Sequence, residues 1–148
     1  MKTWAALGAL LLVACGQDCA QVPCSSYVQI NFSSALTEPG RYQFDVVADQ
    51  EKMTCAIHIP AHTDDACDDA LGMVRPNDEG LGGAAGAGGA ATDPDALLGI
   101  GVIGVYDHVS IVITRADDEL ASDAFEPDYQ DDDSCGGCPA AEHELLIF

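Results

Sequence analysis

SYVQINFSSALTEPGRYQFDVVADQEKMTCAIHIP, residues 26–60, is the stretch that decides the fold. Val28, Ile30 and Phe32 alternate with Tyr27, Gln29 and Asn31. Tyr42, Phe44 and Val46 alternate with Arg41, Gln43 and Asp45. Met53, Cys55, Ile57 and Ile59 alternate with Thr54, Ala56 and His58. A period of two belongs to strands with one buried face. Thr37-Glu38-Pro39-Gly40 places Pro and Gly in the order of a type II turn. Asp49-Gln50-Glu51 is a short polar connection of the hairpin kind. Pro60 ends the third run. The local pattern therefore predicts a meander of three strands with polar and apolar faces.

Toward the C-terminus the strand signal continues at shorter range. Cys67 follows Cys55 closely and is its local candidate partner, in a segment where Asp64-Asp65 favours a short helical turn. Cys55 lies on the apolar face of its strand, where a disulfide would pin the sheet to something packed over it. Residues 80–93, including GLGGAAGAGGAA, lack large side chains and read as a flexible loop. No Lys-Ser/Thr follows that run, so it is not a phosphate-cradling loop. Leu97 to Tyr106 is apolar with three glycines, and Val109, Ile111 and Ile113 alternate with Ser110, Val112 and Thr114. Asp107-His108 turns between them. Leu120 and Phe125 mark shorter strands broken by acidic positions, and Glu142 to Phe148 reads as a last strand. The whole is an all-β chain, a sandwich of about seven short strands stabilised by disulfides.

Toward the N-terminus the chain changes character. Lys2 precedes the small and apolar run Ala5 to Ala14. A basic start, a short apolar core and small residues at its end form a secretory signal. The run is far short of the roughly 20 residues of a membrane span. The tetrapeptide Leu12-Val13-Ala14-Cys15 resembles the lipobox of bacterial lipoproteins. The resemblance implies that residues 1–14 are removed and that Cys15 is lipidated on its sulfur, anchoring the chain to a membrane. Residues 15–25 then form the tether and residues 26–148 a single domain. Gly16, in place of Asp, implies by the same resemblance sorting to the outer membrane, facing either the periplasm or the surface.

Cysteine arithmetic agrees with that reading. Seven cysteines are an odd number for an oxidising compartment. With Cys15 lipidated, six remain: Cys19, Cys24, Cys55, Cys67, Cys135 and Cys138. These can close three disulfides, whose connectivity the sequence leaves open. The strand, the Pro-Gly turn, Tyr42 and the pair Cys55 and Cys67 resemble small cysteine-rich bacterial lipoproteins with immunoglobulin-like or carboxypeptidase-regulatory-like sandwiches. That resemblance implies an immunoglobulin-like β-sandwich and no assigned activity.

The formal charge is −20, and loss of Lys2 with the signal makes it −21. Eleven Asp and Glu follow Arg115, with no Lys or Arg among them. Such a surface repels phosphate backbones, so nucleic acid is excluded as a partner. Cationic or protein partners and divalent cations are electrostatically allowed. Asp128, Asp131, Asp132 and Asp133 are candidate calcium ligands, as is the cluster Asp64, Asp65, Asp68 and Asp69. Neither matches an EF-hand loop, and solvated acidic loops are the simpler expectation. Cys135-Gly136-Gly137-Cys138 is a CxxC, but too little chain follows it for a redox βαβ frame, so these cysteines read as structural. His58 and His62 have HxxxH spacing. With Pro60 between them and His58 on a strand, the helical geometry that would join them on one ion is not expected. No cofactor and no catalytic nucleophile is expected. The expected function is a lipid-anchored, non-catalytic binding or structural module of the cell envelope. The alternative is an envelope enzyme or calcium-binding protein using the acidic loops or the CGGC thiols.

Overall fold

The alternating stretch forms three strands that are not three neighbours. They are β1 (Tyr27–Leu36), β2 (Gly40–Ala48) and β3 (Glu51–Ile59). The computed structural model describes residues 25–76, 93–130 and 138–148. Within them follow β4 (Ala66–Cys67), β5 (Leu71–Val74), β6 (Leu97–Ile103), β7 (Val109–Arg115), β8 (Asp118–Phe125) and β9 (Ala140–Leu145). Among the described residues the chain is all-β, in one four-stranded sheet, β5-β6-β1-β9, and one five-stranded sheet, β4-β3-β2-β7-β8.

The expected meander is corrected at its first turn. β2 and β3 pair in register from Gly40↔Ile59 to Ala48↔Glu51. β1 instead pairs with β6 and β9 in the other sheet. Residues 37–39 therefore carry the chain across the sandwich. The reason is physical. Alternation tells which side chains must be buried, and that demand is met equally by pairing with the next strand or by facing it. Here β1 faces β2: the rings of Phe32 and Phe44 stack at 6.2 Å with planes 8° apart, one from each sheet. The apolar positions of the pattern, Val28, Ile30, Phe32, Tyr42, Phe44, Val46, Met53, Cys55, Ile57 and Ile59, are all buried. They meet Ile100, Val102, Ile111 and Ile113 from later strands. Gln29, expected on the polar face, is also buried at 3 % exposure, and its Nε2 donates to Asn31 Oδ1 at 2.8 Å.

The strand order is that of a variable-type immunoglobulin sandwich. β5-β6-β1 take the places of strands D, E and B, and β4-β3-β2-β7-β8 those of C″, C′, C, F and G. The edge beside β1 is filled by the last strand, β9, which runs parallel to it from Tyr27↔Ala140 to Phe32↔Leu145. β1 and β7 contain no cysteine, so the disulfide that joins the two sheets in antibody domains has no counterpart here. The disulfide Cys55–Cys67 lies within one sheet, between facing residues of β3 and β4. This corrects the expectation that Cys55 would tie the sheet to a covering element.

Three further differences are local. Residues 66–67 are strand rather than helix, because the Asp65 carboxylate accepts the backbone N–H of His58 at 2.8 Å and of His62 at 3.0 Å and so closes the loop as a turn. β4 and β5 raise the strand number to nine among the described residues; at two and four residues they are too short to show a period. Leu120 and Phe125 share one strand, and the last strand ends at Leu145. The Gly/Ala loop expected over 80–93 falls, apart from Asp93, outside the described residues.

Candidate functional site

Strand directions define two ends of the sandwich. β1 starts at Tyr27, level with Ile103 of β6 and Ala140 of β9. Across the sandwich, this end holds the β2–β3 hairpin, where Ala48 pairs with Val109, and the end of β8, where Val109 pairs with Phe125. The opposite end holds the turn at 37–39, the loop 60–65 after β3 and the turn at 116–117 between β7 and β8. In an antibody variable domain the loops in these three places are the ones that contact antigen.

At the β1-start end, Asp49 organises the backbone. It sits at φ 53°, a conformation that Asp tolerates better than most residues. Its N–H donates to the His108 carbonyl at 2.8 Å, and its Oδ1 accepts the N–H of Asp107 at 3.1 Å and of His108 at 2.9 Å. Nearby, a surface depression of about 330 Å³ is lined by Val47, Asp49, His108, Val109, Phe125 and Glu126, among others. His108 Nε2 pairs with Glu126 at 3.2 Å on its exposed rim. Tyr106 N–H donates to the Tyr129 hydroxyl at 2.8 Å, and burial pushes both phenols above their ordinary range.

At the opposite end two clusters stand side by side on the five-stranded sheet. In the first, the Tyr42 hydroxyl donates to the Glu38 carbonyl at 2.8 Å, while Arg115 Nη1 contacts Glu38 Oε2 and lies 3.4 Å from the Tyr42 hydroxyl. These hydrogen bonds, with the Glu38 charge, hold the guanidinium firmly protonated. In the second, His58 Nδ1 bonds Asp65 Oδ1 at 2.8 Å, and His62 Nδ1 bonds Asp64 Oδ1. The two imidazole rings lie 5.4 Å apart, centre to centre. Burial raises the Asp65 carboxyl, but the backbone N–H groups of His62 and His58 and the His58 ring outweigh it, so its pKa falls below the ordinary range. The Asp64 carboxyl is lowered as well, chiefly by the His62 hydrogen bond.

No protein-family model, curated protein or solved structure matches the chain.

The site residues anticipated from sequence distribute as follows. Cys55 and Cys67 join each other. Cys138 is disulfide-bonded. Cys15, Cys19, Cys24, Cys135, Asp131, Asp132 and Asp133 lie outside the described residues. Asp128 is exposed in the connection after β8, at the β1-start end. The cluster of Asp64, Asp65, Asp68 and Asp69 does not gather around one point: Asp68 Oδ2 instead accepts the Thr54 N–H at 2.6 Å, and Asp64 and Asp65 each hold a histidine.

Sequence reasoning missed the histidine pair. HxxxH spacing joins two histidines on one face of a helix, and here the residues meet through a different geometry. The chain turns back after Pro60, and Asp65 ties the backbones of both histidines to one carboxylate. Asp at 64 and 65, just past His62, was the available signal. A second missed contact joins the sheets: His143 of β9 stacks on Phe125 of β8 with centres 3.6 Å apart, and its Nε2 bonds Asp123 Oδ2 at 2.8 Å.

Proposed function

We propose that this chain is a lipid-anchored, non-catalytic binding module of the bacterial cell envelope, held to the membrane through Cys15. The observation that carries the reading is the placement of β1. Its start, where the tether from Cys15 would enter, lies at the end of the sandwich away from the loops 37–39, 60–65 and 116–117. A chain anchored there holds these loops outward, into the solvent beyond the membrane. The loops and the strand ends beside them carry paired acid and base groups, Glu38 with Arg115 of β7, Asp65 with His58 of β3 and Asp64 with His62, on a rigid frame. Binding sites on loops fixed by a β-scaffold are a recurrent solution in sandwich domains. The strong negative charge favours cationic ligands or basic protein surfaces there.

The anchor is tested by growing cells with a radiolabelled fatty acid. Wild-type protein is expected to take up the label and to sediment with outer membranes. Cys15→Ser is expected to lose both. Label retained in the Ser variant would sink the anchor.

A further inference from the structure

We propose that the loop after β3 binds one divalent first-row transition-metal ion through Nε2 of His58 and Nε2 of His62. The inference rests on the reading of the loop end as a ligand-presenting end, and names the ligand class. Each imidazole has its Nδ1 engaged with a carboxylate, His58 with Asp65 and His62 with Asp64. That is the outer-shell arrangement of metal-binding histidines: Nδ1–H donates to the carboxylate, which fixes the tautomer and leaves the lone pair on Nε2. Neither Nε2 has a hydrogen bond among the described residues.

The two rings are close enough for one ion to be shared between them. Two imidazoles held by a tetrahedral ion at about 2.0–2.1 Å through nitrogen stand with ring centres about 5 Å apart. The observed separation is 5.4 Å, with planes inclined by 52°. A plain pair of ion pairs requires no such approach of the rings.

The frame is also fixed before any ion arrives. Asp65 is the hub: one carboxylate accepts the His58 N–H, the His62 N–H and the His58 ring. His58 stands on a strand paired along its length with β2, and its side chain is 31 % exposed. His62 is 62 % exposed, so an ion reaches the pair from solvent.

Imidazole ligands choose the class of ion. Neutral nitrogen suits copper, nickel and zinc, whereas calcium and magnesium take oxygen. Among the described residues no group of three His, Cys, Asp or Glu side chains is arranged for a metal, so water completes the shell. A two-histidine site of that kind is exchangeable rather than structural. Arg41 faces His58 across the β2–β3 ladder and works against the cation, while Asp64 and Asp65 work for it.

The test is calorimetric titration of the purified full chain, first stripped with chelator, with Cu²⁺, Zn²⁺ and Ca²⁺. One Cu²⁺ or Zn²⁺ ion per chain is expected, with copper the tighter, and a matched excess of Ca²⁺ should not displace it. His62→Ala, at an exposed position, should abolish that binding event. Asp64→Asn should weaken it about tenfold, as loss of an outer-shell carboxylate does. The chain's other two histidines supply the controls, and His108→Ala and His143→Ala should bind like wild type. Far-ultraviolet circular dichroism establishes that each variant is folded. No binding of either ion to wild type would overturn the proposal, as would binding unchanged in folded His62→Ala or binding displaced equally by Ca²⁺. Those failures leave the anchor reading intact, because fatty-acid labelling of Cys15 tests it separately.

Discussion

The hydroxyl of Tyr42 donates a 2.8 Å hydrogen bond to the carbonyl of Glu38, four residues earlier in the chain. Glu38 lies in the segment that crosses from one sheet to the other, and Tyr42 is buried at the start of β2. The bond therefore closes the crossover against the strand it feeds, much as the tyrosine corner does in immunoglobulin domains. Tyr42→Phe keeps the ring and removes the donor. It is expected to cost about 1–2 kcal/mol, the typical loss when a part-buried acceptor is left without its partner. Glu38→Gln, which touches only an exposed ion pair with Arg115, should cost less. Urea midpoints of the two variants decide the order.

Gly99 lies opposite Asn31 in the β1–β6 ladder. A Cβ built there would stand 2.4 Å from the Ile30 carbonyl oxygen. That neighbour is backbone in the middle of a paired strand and cannot swing aside. Gly99→Ala is expected to destabilise the fold by about 1–3 kcal/mol, the range for overpacking. A thermal melt showing no loss would mean that β1 and β6 separate more easily than their register implies.

Cys55 and Cys67 close a loop with a sequence separation of 12. The chain-entropy account assigns a loop of this size about 3 kcal/mol of stabilisation. The double variant Cys55→Ala, Cys67→Ala should lose about that much in urea unfolding under non-reducing conditions. It should also weaken the His58–His62 arrangement, because β4 holds the returning end of their loop. Metal titration of the same variant reads that second effect.

Acid should weaken the fold through particular carboxylates. Asp65 and Asp123 both titrate below the ordinary range in the folded chain, Asp123 chiefly because of its hydrogen bond to His143. A depressed folded pKa gives stability that is complete above the unfolded value, about 3.9, and is lost as pH falls through the folded value. Wild type should therefore lose stability below about pH 4. Asp65→Asn and Asp123→Asn should be destabilised at neutral pH and converge on wild type in acid. The effect should be larger at Asp65, whose side chain is 17 % exposed, than at Asp123, at 42 %. Urea unfolding at pH 7 and pH 2.5 measures the convergence; a constant gap between the two would show that neither carboxylate contributes through its charge.

Much of this was written in the local pattern, for a physical reason. A strand's period of two is a property of its own backbone, so the buried set Val28, Ile30, Phe32, Tyr42, Phe44, Val46, Met53, Cys55, Ile57 and Ile59 was readable without any partner. The same holds for the Asp49-Gln50 hairpin, for the nearby pair Cys55 and Cys67, and for the apolar strands β6 and β7. Tertiary structure decided who faces whom. Burial of a face is satisfied by many partners, and the choice of β1 to face β2 across the core, with β9 beside it in parallel, depends on the whole set of strands packing at once. Gln29 shows the limit: its place in the alternation assigns it to solvent, and only packing on that side of the sheet buries it. The histidine site shows it again. His58 and His62 are near in sequence, yet what brings their rings to 5.4 Å is a turn closed by one carboxylate, and a turn's path is set by its hydrogen bonds rather than by any period.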